Sequence, residues 1–160
     1  CDLARFTHQP GAVIFASKNG WDESIRYLSL HDNRYLRYFK GHRERVVSIA
    51  MAPREDHFLS AALDDTVRLW SLNSHQCTGL LRTRAGARPQ VAYDPQGLVF
   101  AVAAAGAVRL YDSRSFENGP FATFHTPPPA GQPAETAFAA VHFSPDGRYL
   151  LLPCADQPAV

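Results

Sequence analysis

His42, Ser60 and Asp64 bring together a base, a nucleophile and an orienting acid, the functional groups of a serine hydrolase relay. Their setting argues against that chemistry. An activated serine is exposed on a strained turn beside oxyanion donors, as in G-x-S-x-G. Ser60 instead lies inside the apolar run Phe58-Leu59-Ser60-Ala61-Ala62. Trp70 completes a different arrangement. Its indole N–H can donate to Ser60, the serine hydroxyl to His42, and the second ring nitrogen of His42 to Asp64, which satisfies four buried polar side chains in one chain. The four residues are therefore expected to form a structural tetrad. No residue is assigned to catalysis, cofactor binding or metal binding.

For these side chains to meet, the stretch Gly41 to Trp70 must fold back on itself twice. Its sequence, GHRERVVSIAMAPREDHFLSAALDDTVRLW, has a Gly-His pair, two short apolar runs and an Asp before a Trp. That pattern is one unit of a WD-repeat propeller blade. Fainter copies flank it. VRLWSL at Val67 matches IRYLSL at Ile25 after a shift of 67 minus 25, or 42 residues, and VRLYDS begins 41 residues further on at Val108. Pro10-Gly11, Pro53, Pro95 and Pro145 mark hairpin turns between short runs rich in Val, Phe, Tyr and Leu. A helical solenoid of similar period would need apolar residues at helical spacing over ten or more positions, which are absent here.

The fold class is thus all-β, an incomplete WD-repeat β-propeller of about three and a half four-stranded blades. The blade units run from about 3 to 39, 45 to 82, 89 to 125 and, incompletely, 139 to 160. A Pro-rich loop is expected over 126–137, where TPPPAGQPAET lengthens the Pro95–Pro145 spacing to 50 residues. Strands in the fourth unit are expected at Ala139 to Phe143 and Tyr149 to Leu152. In the first and third units Leu28 and Tyr111 replace Trp70, Ala105 replaces Asp64, and Asp22 alone keeps the acid.

Composition excludes little and demands no special partner. The chain has 160 residues, 46% of them apolar, and a net charge of +1, with 14 Arg and 2 Lys scattered along it. Neither direct nucleic-acid binding nor a membrane is expected. The chain begins with Cys1 and is expected to be a segment of a longer protein. Cys1, Cys77 and Cys154 are odd in number and widely spaced, so a reducing compartment fits better than a disulfide framework. His75 and Cys77 lack a second pair at metal spacing. Asp94 and Asp146 read as turn residues. Lys40, Arg43 and Arg45 cluster beside the Gly-His turn and are the candidate site for a protein or phosphopeptide.

Beyond the blade pattern, IRYLSLHDNRYLRYFKGH and LYDSRSFENGPFATF, with CDLARFTH and CTGLL, resemble the WD repeat-containing protein 82 family. The resemblance covers nearly the whole chain apart from the Pro-rich loop. It implies a nuclear propeller without enzymatic activity. The implied partners are protein subunits of COMPASS-type histone lysine methyltransferase complexes, subunits of phosphatase or RNA 3′-end-processing assemblies, and the phosphorylated tail of RNA polymerase II. The alternative is a substrate receptor for a cullin-type ubiquitin ligase, whose docking motif resembles an Asp-led run ending W-D-x-R. Trp70-Ser71-Leu72-Asn73 lacks both the Asp and the Arg, and Tyr111-Asp112-Ser113-Arg114 lacks the leading Asp.

Overall fold

The computed structural model describes residues 3–17, 22–84, 86–126 and 138–153. Apart from one 3-10 turn, Phe116–Asn118, its regular elements are all strands. In chain order these are β1 (Leu3–Phe6), β2 (Ala12–Ala16), β3 (Ile25–Ser29), β4 (Arg34–Phe39), β5 (Val46–Met51), β6 (His57–Ala62) and β7 (Thr66–Ser71). They continue with β8 (Cys77–Arg82), β9 (Gln90–Tyr93), β10 (Val99–Ala104), β11 (Ala107–Asp112), β12 (Ala122–His125), β13 (His142–Phe143) and β14 (Leu150–Leu151). Consecutive strands pair antiparallel in three four-stranded sheets, β1–β4, β5–β8 and β9–β12, and β13 pairs with β14. The first strands of successive sheets, β1, β5, β9 and β13, stand side by side. That is the arrangement of propeller blades about an axis, and the chain forms an incomplete WD-repeat β-propeller.

The second and third blades are covered on both faces, which explains their strand sequences. β6 reads HFLSAA and is buried from Phe58 to Ala62, a continuous run instead of an alternating one. Phe58 and Ala62 face the first blade, where they join Ile14, Ile25, Phe39 and Trp70 in one core. Leu59 and Ala61 face the third blade and pack with Val91, Phe100 and Tyr111. A third core joins Ala101, Ala103 and Val108 to Phe138 and Val141. A one-residue slip of β6 would exchange its two faces and place Ser60 against the wrong neighbour.

The repeat extends to irregularities. The pairing of the third and fourth strands shifts register between Tyr27 and Leu28 in the first blade and between Leu69 and Trp70 in the second, 42 residues later. Turn chemistry follows the Pro-Gly marks: Gly97 closes the β9–β10 hairpin at φ +76, a left-handed conformation costly for other residues.

The fourth unit departs from expectation. Its strands are only His142–Phe143 and Leu150–Leu151, in place of Ala139 to Phe143 and Tyr149 to Leu152. Pro153 accepts from the Ala139 N–H (2.8 Å) but has no N–H of its own, so it cannot continue the ladder. Residues 127–137 of the Pro-rich loop, Cys1 and Cys154 lie outside the described residues.

Candidate functional site

β5 follows the Gly-His turn, β6 carries Ser60 at its centre, the turn after β6 carries Asp64, and β7 carries Trp70. Antiparallel pairing sets Phe58 opposite Trp70 and Ser60 opposite Arg68, so the indole reaches back along the sheet to the serine. Trp70 Nε1 donates to Ser60 Oγ at 2.8 Å. Ser60 Oγ is 2.6 Å from His42 Nε2. His42 Nδ1 is 3.1 Å from Asp64 Oδ2. The Asp64 carboxylate can only accept, so Nδ1 of the neutral ring carries the proton and donates to it. Nε2 accepts, and Ser60 Oγ donates to Nε2 while accepting from the indole. One tautomer of a neutral imidazole satisfies the whole chain.

Two further residues belong to this arrangement, Gly41 of the Gly-His pair and Thr66, which the spacing of the four clamp residues does not include. Thr66 donates its hydroxyl to Asp64 Oδ1 at 2.6 Å and its main-chain N–H at 3.1 Å. The signal was present as Asp64-Asp65-Thr66, a side-chain turn that bonds its own backbone two residues on. Gly41 is required by crowding: a Cβ there would sit 2.5 Å from Arg68 Nη1 and 3.1 Å from Trp70 Cη2. The main-chain N–H of Arg43 adds a donor to Asp64 Oδ2 at 2.9 Å. The carboxylate therefore ties the β4–β5 connection to the β6–β7 turn.

Electrostatics agree with this proton assignment. The His42 side chain is 1% exposed. Burial pushes its pKa below the ordinary value, outweighing the opposing pull of Asp64, and Arg68 adds to the lowering. Asp64 is also lowered: burial alone would raise it, but donors from Thr66, Arg43 and His42 prevail. Ser60 is fully buried beneath Trp70 and Phe58, so no substrate carbonyl can reach its oxygen. Among the described residues no His, Cys, Asp and Glu group has the geometry of a metal site.

The neighbouring blades show what the clamp replaces. Asp22 accepts from the Ser24 N–H at 3.0 Å and pairs with Arg26 at 3.3 Å, repeating the Asp64–Thr66 turn. In the third blade Ala105 (φ +49) and Gly106 (φ +70) make a two-residue hairpin with no carboxylate. Tyr111 stacks on Phe100 at 5.1 Å, much as Trp70 stacks on Phe58 at 6.2 Å.

Lys40, Arg43 and Arg45 are all exposed on the β4–β5 connection. The clamp holds that connection from beneath, and the Arg45 carbonyl accepts from the Leu63 N–H at 2.9 Å. The three cations thus sit on a braced loop.

The description "WD domain, G-beta repeat" matches residues 33–71, the stretch that contains all four clamp residues. Over 152 residues, 94% of this chain, the sequence is 47% identical to WD repeat-containing protein 82 of Drosophila melanogaster, covering 46% of that protein. The chain is homologous to the WD repeat-containing protein 82 family. Protein ANTHESIS POMOTING FACTOR 1 of Arabidopsis thaliana is 50% identical over 94% of the chain and 45% of its own length. Set1 complex component swd2 of Schizosaccharomyces pombe is 44% identical over 94% of the chain and 41% of its own length. The chain spans less than half the length of these family members.

Proposed function

We propose that the chain is part of a non-enzymatic WD-repeat scaffold, a subunit of a nuclear Set1/COMPASS-type histone lysine methyltransferase complex. The observation that carries this reading is the 44% identity to a Set1 complex component across 94% of the chain. Two features support the scaffold role. The one set of residues with the functional groups of a hydrolase is consumed in holding β5, β6 and β7 together. The cations on the loop it braces, Lys40, Arg43 and Arg45, are exposed.

The finer reading adds two roles: membership of phosphatase or RNA 3′-end-processing assemblies, and a link to RNA polymerase II. Lys40, Arg43 and Arg45 suit a phosphorylated polymerase-tail peptide, because guanidinium and ammonium groups on a fixed loop bind phosphoryl oxygens with little ordering cost. Affinity purification of the full-length protein tests the assembly. Methyltransferase subunits among the co-purified proteins are expected; cullin-ligase adaptors in their place would overturn it. Charge reversal at Lys40 and Arg43 tests the peptide link. Titration should show weaker binding of a phosphorylated tail peptide with an unchanged melting temperature, and equal affinity in both proteins would reject the site.

A further inference from the structure

The innermost strands enclose one side of the propeller's central channel. Its wall is formed by β1, β5, β9 and β13 with the residues just before β9 and β13, from Leu3 and Arg5 to Ala139–His142. The guanidiniums on this wall, Arg5 and Arg88, are cationic donors. Arg5, Arg88 and His142 are exposed on it, and no Asp or Glu among the described residues lines it. Ser48 Oγ accepts from the Val91 N–H at 3.2 Å, which leaves the serine proton for another acceptor. Gln90 is the unusual member. It is 4% exposed, and its Nε2 is buried without a hydrogen-bond partner.

An unpartnered buried amide costs free energy unless something at the site uses it. The terminal torsion of glutamine is broad and roughly two-fold, so rotation about it can turn the NH2 group toward the channel. Arg88, two residues before Gln90, lines the same groove. Among the described residues the wall carries two guanidiniums, an amide N–H and a hydroxyl proton and no carboxylate, a set that matches an oxyanion and repels a cation.

We propose that this channel wall is a second binding site, distinct from the Lys40–Arg45 rim, for an acidic extended segment of a partner protein, with Arg88 and Gln90 taking one of its carboxylates. The site does not depend on which complex the protein joins. Arg5 and His142 supply flanking donors, and Ser48 of β5 a hydroxyl proton.

The test uses the full-length protein and three labelled peptides of equal length: oligo-glutamate, its phosphoserine counterpart and its glutamine counterpart. Fluorescence anisotropy should show oligo-glutamate binding, a loss of affinity between low and moderate salt, and no binding of the glutamine peptide. Arg88→Gln, at an exposed position, should keep its melting temperature and weaken oligo-glutamate binding at least about fivefold. Gln90→Leu should weaken it further, and if that variant fails to fold the Arg88→Gln result decides alone. Charge reversal at Lys40 and Arg43 should leave oligo-glutamate affinity unchanged. Three results would overturn the site: equal binding of the glutamine peptide, unchanged affinity in Arg88→Gln, or loss only with the Lys40 and Arg43 variant. Binding of the phosphoserine peptide alone would also reject the carboxylate assignment.

Discussion

Asp64 is the residue on which the second blade's polar bonding converges. Its carboxylate accepts from His42 Nδ1, the Arg43 N–H and both donors of Thr66. Asp64→Ala leaves these donors without an acceptor in a site where the carboxylate is 7% exposed. We expect a loss of about 1–3 kcal/mol, read as a lower midpoint in denaturant for the full-length protein; an unchanged midpoint would show that water replaces the carboxylate. The same site sets an acid sensitivity. Burial holds the folded-state pKa of His42 below its ordinary value of about 6.5, so below that pH the unfolded chain takes up the proton first. The contribution is present above about pH 6.5 and is lost as pH falls toward the folded-state value. Asp64, lowered in the fold, loses its contribution in the same direction at lower pH. The melting temperature should therefore fall from pH 7.5 to 5.5 more steeply in the parent protein than in His42→Gln. Parallel slopes would place the acid sensitivity elsewhere.

At the scale of elements, the hairpins decide which blades carry a clamp. The β6–β7 connection has room for Leu63, Asp64 and Asp65, whereas the β10–β11 connection is the two-residue pair Ala105-Gly106. Ala105 holds φ +49, a left-handed conformation that costs a residue with a Cβ about 1–2 kcal/mol. Ala105→Gly should relieve part of that and stabilise the full-length protein by about 0.5–1 kcal/mol, measured by chemical denaturation. A destabilised variant would mean that the Ala105 methyl contributes more by packing than its backbone loses. Elements of adjoining blades also lock together: a Cβ on Gly79 of β8 would meet the Phe116 ring of the third blade at 2.4 Å. No local rule reveals that glycine, because the crowding comes from a residue 37 positions later, 116 minus 79.

For the molecule as a whole, each sheet is stabilised by its neighbours, and the end faces of the segment lack them. Phe6 is 75% exposed on β1 and Leu151 is 64% exposed on β14. The isolated 160 residues should be poorly soluble, since unpartnered apolar faces and strand edges invite association. Size-exclusion chromatography and calorimetry of the segment check this, and a monodisperse monomer with one cooperative transition would contradict it. The full-length protein should supply the covering blades, which is why every other measurement above uses it.

The local pattern of turns and apolar runs was enough to read the all-β class and the 42-residue repeat. Such features are set by neighbouring residues: proline turns, β-branched and aromatic runs, and the Gly-His and Asp marks that recur with the period. Tertiary packing decided what the spacing left open. It excluded solvent from Ser60, brought Thr66 and the Arg43 N–H onto Asp64, required Gly41 and Gly79 to lack side chains, and lined the channel with donors from four different sheets. Burial and close approach depend on residues far apart in the chain, so spacing alone could nominate the clamp residues without revealing how they are enclosed.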